Sequence, residues 1–234
     1  MIMNRPLHLA SKEDARAKWS ERFNNRSPAD RTPAELDIRA ASDTTEIMLY
    51  GEIGFWGVTA KEFNTALTKI KTPSVLVRIK SEGGDVFDGL AIYEALRSHP
   101  ATITTKVEGW AASAASFIAL AGNTVTMADS AFMMIHKAWG FAIGNSADML
   151  DMATTLEKID GNLADIYAAK TGQTSAEMLK MMTGASDGTW FTASEAKEIG
   201  LVDSIIGADD TSNASMAARV VAMKRRLAIM ERDG

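Results

Sequence analysis

The stretch SVLVRIKSEGGDVFDGLAIYEAL, residues 74–96, decides the fold. Its opening, Ser74–Ile79 (SVLVRI), is apolar and rich in β-branched residues and reads as a strand. Paired glycines follow in Ser81-Glu82-Gly83-Gly84, where a sharp turn with positive φ meets no steric penalty. From Val86 to Leu96 the period changes, and Ile92, Tyr93 and Leu96 fall on one helical face. A strand, a glycine turn and a helix in immediate succession form one crossover of a parallel sheet.

The same alternation extends to both sides. Glu46–Tyr50 (EIMLY) ends at Gly51 and reads as a strand, and Thr59–Ile70 reads as a helix capped by Thr59, with Phe63, Leu67 and Ile70 inward. Thr102–Val107 is a further strand, Ala112–Ala121 a helix of small residues, and Thr124–Met127 and Phe132–Ile135 two short strands. Ser146–Lys170 is the longest helical pattern, with Ser146 as N-cap and Leu150, Leu156, Ile159, Leu163 and Ile166 as its inward stripe. Thr174–Met182 and Ala193–Ile199 read as helices and Leu201–Ile205 as a last strand. The alternation predicts an α/β fold with right-handed crossovers. Residues 1–40 are polar, punctuated by Ser27-Pro28 and Thr32-Pro33, and read as an N-terminal arm; 41–207 read as the domain. Residues 208–234 read as a polar linker and an amphipathic helical tail, Met216–Arg232.

Composition narrows the chemistry. With 46% hydrophobic and 24% charged residues over 234 positions, the chain has material for a core and is not disordered throughout. There is no cysteine, which removes disulfides, a thiol nucleophile and thiolate metal sites. The three histidines, His8, His99 and His136, are too dispersed in sequence to suggest a metal centre, and no cofactor is expected. A net charge of −5 argues against nucleic acid as the main partner. The start of the chain lacks a secretion pattern, so no export is expected. Between Glu108 and Asp129 no residue is charged, a length that could cross a bilayer. Ser113, Ser116, Asn123, Thr124 and Thr126 interrupt it, so a buried helix followed by a buried strand is expected and no membrane contact.

Three segments carry possible chemistry. A serine hydroxyl becomes a nucleophile near neutral pH when a base lies within hydrogen-bond reach and backbone N–H groups await the oxyanion. Ser113, in Gly109-Trp110-Ala111-Ala112-Ser113-Ala114-Ala115-Ser116, follows a strand and opens a helix; the same string is also how tight packing is written. His136 ends the strand FMMI, where a side chain emerges at a sheet edge, a place that often holds an unremarkable histidine. The paired glycines after SVLVRI leave amides open to a ligand, or make an ordinary tight turn. Their occurrence in separate crossovers of one sheet makes the three reinforce one another.

In order and spacing, SEGGDVFDGLAIYEAL, GWAASAASFIALAG, FMMIHKAWG and TWFTASEAKEIGLVDSI resemble the Clp protease proteolytic subunit family, over about residues 38–207. GEIGFWGVTAKEF and IRAASDTTEI look more narrowly like its phage branch, the head maturation proteases. The resemblance implies a spiral of repeated ββα units, the fold shared with crotonases. It implies a serine endopeptidase with Ser113 as nucleophile, His136 as general base, and the amides of Gly84 or Gly83 with that of Ala114 as oxyanion hole. The family's orienting aspartate maps near Trp190-Phe191-Thr192-Ala193. A gapless match puts Gly188 in its place, and a shift of one residue brings in Asp187. Glu82 stands where the family commonly has proline, and Trp110 where it has a polar residue.

The implied assembly is a homo-oligomer, a heptameric ring or two stacked rings. The implied substrate is a phage scaffold or capsid protein, cleaved in the host cytoplasm or the prohead. No GxxxxGK[ST] motif is present, so any ATPase partner would be a separate chain. Two alternatives stand beside this expectation: a ring-forming assembly protein with a defective triad, and a crotonase-like acyl-CoA enzyme.

Overall fold

The computed structural model describes residues 36–184 and 188–207. The expected tail helix Met216–Arg232, Asp187 and most of the expected arm lie outside the described residues. The elements are β1 (Asp37–Ala40), β2 (Thr44–Ile53), α1 (Ala60–Leu67), β3 (Ser74–Gly84), α2 (Val86–Ser98), β4 (Thr102–Ala112) and α3 (Ala114–Ala119), followed by β5 (Thr124–Ala128), β6 (Phe132–Ile135), α4 (Ser146–Thr171), α5 (Ser175–Thr183), β7 (Thr189–Thr192), α6 (Ala193–Glu198) and β8 (Ser204–Ile206).

The strands form one mixed sheet in the order β1-β2-β3-β4-β5-β8, with β6 joining β4 and β7 joining β6. Neighbours from β2 through β5 pair in parallel, as the helix between each pair of strands requires. β1 and β7 are antiparallel additions. β1 is built from the last four residues of the stretch expected as an arm. Its four residues are all exposed, so it carries no apolar signal, and the β2 edge holds it by its backbone.

Alternation along each strand sends one face into the core. Ile47 and Leu49 of β2, Val75, Val77 and Ile79 of β3, Ile103 and Val107 of β4, and Val125 and Met127 of β5 are buried against Phe63, Ile92, Leu96 and Phe117 of the helices. Each such side chain contributes roughly 1.5–3 kcal/mol relative to exposure. The expected α/β architecture is observed, and several elements differ from expectation in their bounds.

β3 and β4 run past their apolar segments. β3 continues to Gly84 because Glu52↔Gly83 and Ile53↔Gly84 extend its ladder with β2. β4 continues to Ala112 because it changes neighbour, pairing β5 from Thr104 to Val107 and β6 from Trp110 to Ala112. Its register against β3 shifts at the same place, from Ile79↔Val107 to Ser81↔Ala111. The helix expected from Ala112 therefore begins at Ala114. The uncharged stretch 109–128 is the end of β4, α3 and β5, buried along most of its length.

α4 departs most. Asn145, rather than Ser146, is its N-cap, accepting the N–H groups of Ala147 and Asp148 while Asp148 caps in return. Its expected stripe is buried only toward the C-terminus: Leu150 is 68% exposed, while Asp160, Leu163, Ala164 and Tyr167 are buried. The first half of this helix projects from the domain. The last strand is Ser204–Ile206, with Leu201 and Val202 buried just before it.

Candidate active site

Ser113 sits where β4 ends and α3 begins. Its N–H donates to Met134 O at 3.0 Å, tying it to β6, and its carbonyl accepts from the Ser116 N–H at 2.9 Å. Between these two bonds the backbone is forced to φ 54° and ψ −126°, the one positive φ at a non-glycine residue among the described residues. Such a conformation costs about 1–3 kcal/mol and persists only where the surroundings hold it. Ser113 remains partly accessible, while Ala111, Ala112, Ala114 and Ala115 around it are buried.

β6 brings His136 to the same point. Because β6 pairs with the end of β4, Ala112 lies beside Met134, and two residues further His136 Nε2 is 2.7 Å from Ser113 Oγ. Serine and imidazole 23 residues apart in the chain are thus in hydrogen-bond contact. With the proton on Ser113 Oγ and Nε2 as acceptor, the pair is set for proton transfer to the ring.

β3 brings the glycines. A Cβ on Gly83 (φ 88°) would lie 2.8 Å from Ser113 Cβ and 2.7 Å from Ala114 N, so only glycine admits this approach. The Gly83 N–H donates to the buried Ser81 Oγ at 3.0 Å. The Asp85 N–H donates back to Ile53 O of β2 at 2.9 Å. Gly84 (φ 148°) follows, and a Cβ on it would fall 1.9 Å from Ile53 O of β2, so it too must be glycine. The structure brings together Ser113, Ala114, Gly83 and His136, with Gly84 the next residue of the chain after Gly83. The expected acid, Asp187, lies outside the described residues.

The described residues flanking Asp187 bear on it. Gly184 and Gly188 pair with one another, and Gly188 (φ 95°) lies against the base. A Cβ at 188 would fall 2.5 Å from His136 Cβ and 2.3 Å from Ile135 O. No side chain, an aspartate's included, can stand at 188 on this backbone without moving the histidine.

Sequence reasoning missed the support of the pair. Ser116 Oγ, fully buried, lies 2.6 Å from both Ser113 O and Tyr167 Oη. A carbonyl can only accept, so Ser116 donates to it and Tyr167 donates to Ser116. Burial pushes the Tyr167 phenol far above its ordinary value despite the Ser116 hydrogen bond, so it stays a donor. Beyond His136, the Lys137 N–H donates to Met182 O at 3.2 Å and the Ala138 N–H to Asp160 Oδ1 at 2.8 Å. Asp160 is 6% exposed, and Lys137 Nζ is 3.8 Å from its other oxygen. The available signal was a lone acid, Asp160, in line with Leu163 and Tyr167 on the inner face of α4.

Comparison with known proteins bears on the family. Residues 35–209 match the family described as Clp protease. An ATP-dependent Clp protease proteolytic subunit from Chlorella vulgaris is 32% identical over 174 residues, covering 73% of this chain and 77% of that protein. One from Oltmannsiellopsis viridis is 30% identical, covering 73% and 80%. A ClpP1 point mutant from Listeria monocytogenes superposes with a TM-score of 0.61 at 24% identity, covering 70% of this chain and 92% of that one, a likeness of fold. The match takes in every strand from β1 to β8, and relatives nearly a third identical follow it for most of their own length; this chain belongs to the Clp protease family.

Proposed function

We propose that the protein is a serine endopeptidase of the Clp type, and that the 2.7 Å contact between Ser113 Oγ and His136 Nε2 is its reacting pair. His136 takes the Ser113 proton as Oγ attacks the scissile carbonyl carbon. The N–H groups of Gly84 and Ala114 receive the oxyanion; Gly83 supports them, since its own N–H is engaged by Ser81. The tetrahedral adduct collapses as His136 gives its proton to the departing amine, leaving an acyl-enzyme that water hydrolyses by the same exchange. Asp187 orients the imidazole in this reading, supported by the exclusion of any side chain from Gly188. The substrate lies extended beside the end of β3, held by main-chain hydrogen bonds.

The biological setting is the phage one: scaffold or capsid proteins cleaved during head assembly, in the host cytoplasm or prohead. GEIGFWGVTAKEF and IRAASDTTEI support it; they form the end of β2 through the start of α1, and β1 with the start of β2. The working form is a homo-oligomeric ring. The projecting half of α4, with Met149 and Leu150 exposed, supports assembly, because apolar side chains on a protruding helix favour a partner surface.

A fluorophosphonate should label Ser113 in the folded wild type and leave Ser113→Ala unlabelled. Asp187→Asn should label at least about a hundredfold more slowly, as loss of the orienting acid does in serine triads. Intact-mass analysis of a phage capsid protein, co-expressed with wild type or Ser113→Ala, tests the setting. Identical masses in both would overturn the phage reading, and an unlabelled wild type the serine mechanism.

A further inference from the structure

The inner face of α4 carries two polar side chains at its ends and two apolar ones between, Asp160, Leu163, Ala164 and Tyr167, all buried. Spacings of three and four residues put them in one line along the helix. Each polar end reaches one half of the reacting pair. Tyr167 donates to Ser116 Oγ, and Ser116 donates to the Ser113 carbonyl, the acceptor at the strained position. Asp160 accepts the Ala138 N–H, two residues beyond His136. Nothing in the chemistry of peptide hydrolysis asks for a buried phenol or a buried carboxylate at these points, and neither touches the reacting atoms.

We propose that Asp160 and Tyr167 are positioning residues, which together make α4 the splint that fixes the separation of Ser113 Oγ and His136 Nε2. The proposal rests on the serine-peptidase reading for its kinetic consequence, though not for its geometry. The strain at Ser113 explains why the nucleophile needs an anchor. A residue held at φ 54° relaxes unless its carbonyl is fixed, and the Ser116–Tyr167 relay fixes it from an element distant in sequence. His136 follows a strand of only four residues and enters an irregular segment, so its backbone needs a second tether. The Ala138 bond to Asp160 supplies it. One rigid helix holding both tethers keeps the two side chains in mutual register.

The test uses the full chain with Tyr167→Phe, Ser116→Ala, Asp160→Ala, Asp160→Asn and, on the exposed face of α4, Lys158→Ala as control. Expected are tenfold or greater losses of kcat in Tyr167→Phe and Asp160→Ala with KM within twofold, at unchanged circular dichroism. Asp160→Asn, which keeps an acceptor for Ala138, should return kcat to within threefold. Tyr167→Phe should add no loss in the Ser116→Ala background, because the relay is already broken. Values of kcat within twofold of wild type, or losses that merely follow the unfolded fraction, overturn the proposal. If Asp160→Ala does not fold, Tyr167→Phe and the Asn variant decide it. Should folded wild type neither cleave peptide nor take the fluorophosphonate, the peptidase reading fails and the geometry is judged by ¹⁵N-histidine spectra. With three histidines in the chain, His136→Gln assigns the signal. A His136 ring resonance displaced in Tyr167→Phe and Asp160→Ala supports the splint, and an unmoved one overturns it.

Discussion

Gly83 has little room for change. A methyl group there meets Ser113 Cβ, Ala114 N and Ala112 O, all at 2.8 Å or less, and two of the three are backbone atoms. Gly83→Ala should therefore cost roughly 1–3 kcal/mol as an overpacked site and push Ser113 away from His136. Urea denaturation should show the first effect, and a drop of a hundredfold or more in fluorophosphonate labelling the second. At this scale the sequence was legible where ordered local strings reinforce one another. Ser113, His136 and the paired glycines are spelled out in short local strings. Ser116 and Tyr167, 51 residues apart, are not, because each has an ordinary role when read alone and only the packing of α4 on α3 joins them. The mismatch at Gly188 was legible in the sequence, and the contact that a side chain there would make with His136 is visible only in three dimensions.

Elements were legible to the extent that local chemistry sets their ends. Thr59 caps α1 as expected, in a reciprocal box with Glu62 whose carboxylate accepts the Thr59 N–H at 3.0 Å. Thr59→Ala removes one side of that box and should lower stability by about 1 kcal/mol, read as an earlier urea midpoint at unchanged slope. Thr174 and Thr192 repeat the device at α5 and α6. By contrast, β3 and β4 extend past their apolar runs because pairing partners, not side chains, decide where they stop. The stripe of α4 misled because periodicity reports a face that could be buried, and among the described residues none covers Leu150.

Over the whole molecule, ion pairs tie distant parts of the sheet. Lys170, near the end of α4, bonds both oxygens of Asp203 at 2.7 and 2.8 Å, and Asp203 also accepts the Val125 N–H of β5. Burial alone would raise the Asp203 carboxyl, and the Lys170 and Val125 hydrogen bonds outweigh it, holding it below the ordinary value of 3.8. Glu108 is likewise lowered: desolvation opposes the shift, and hydrogen bonds from Lys106, Arg78 and Tyr50 prevail. A depressed carboxyl stabilises the fold above its unfolded value, and that contribution is lost as pH falls through the folded value. Stability should thus decline from about pH 4 downward, and Lys170→Met should flatten the Asp203 part of that decline while lowering stability at neutral pH. Thermal midpoints measured between pH 7 and pH 2 would show both. The family-level fold was readable because successive crossovers repeat one plan, whereas these long-range pairs have no local signature.

The change of neighbour along β4 carries one more consequence. Thr104–Val107 belong to the ladder with β5, and Trp110–Ala112 to the ladder with β6, which in turn holds β7. Between them the backbone hydrogen-bond net is divided, so the small three-strand ladder can open without breaking the large one. In amide hydrogen exchange, Met133, Met134 and Phe191 should lose protection together, at a lower opening free energy than Val77 and Ile103. The protein would then contain two cooperative units, a slow-exchanging frame and a faster-exchanging flap of sheet that carries the histidine.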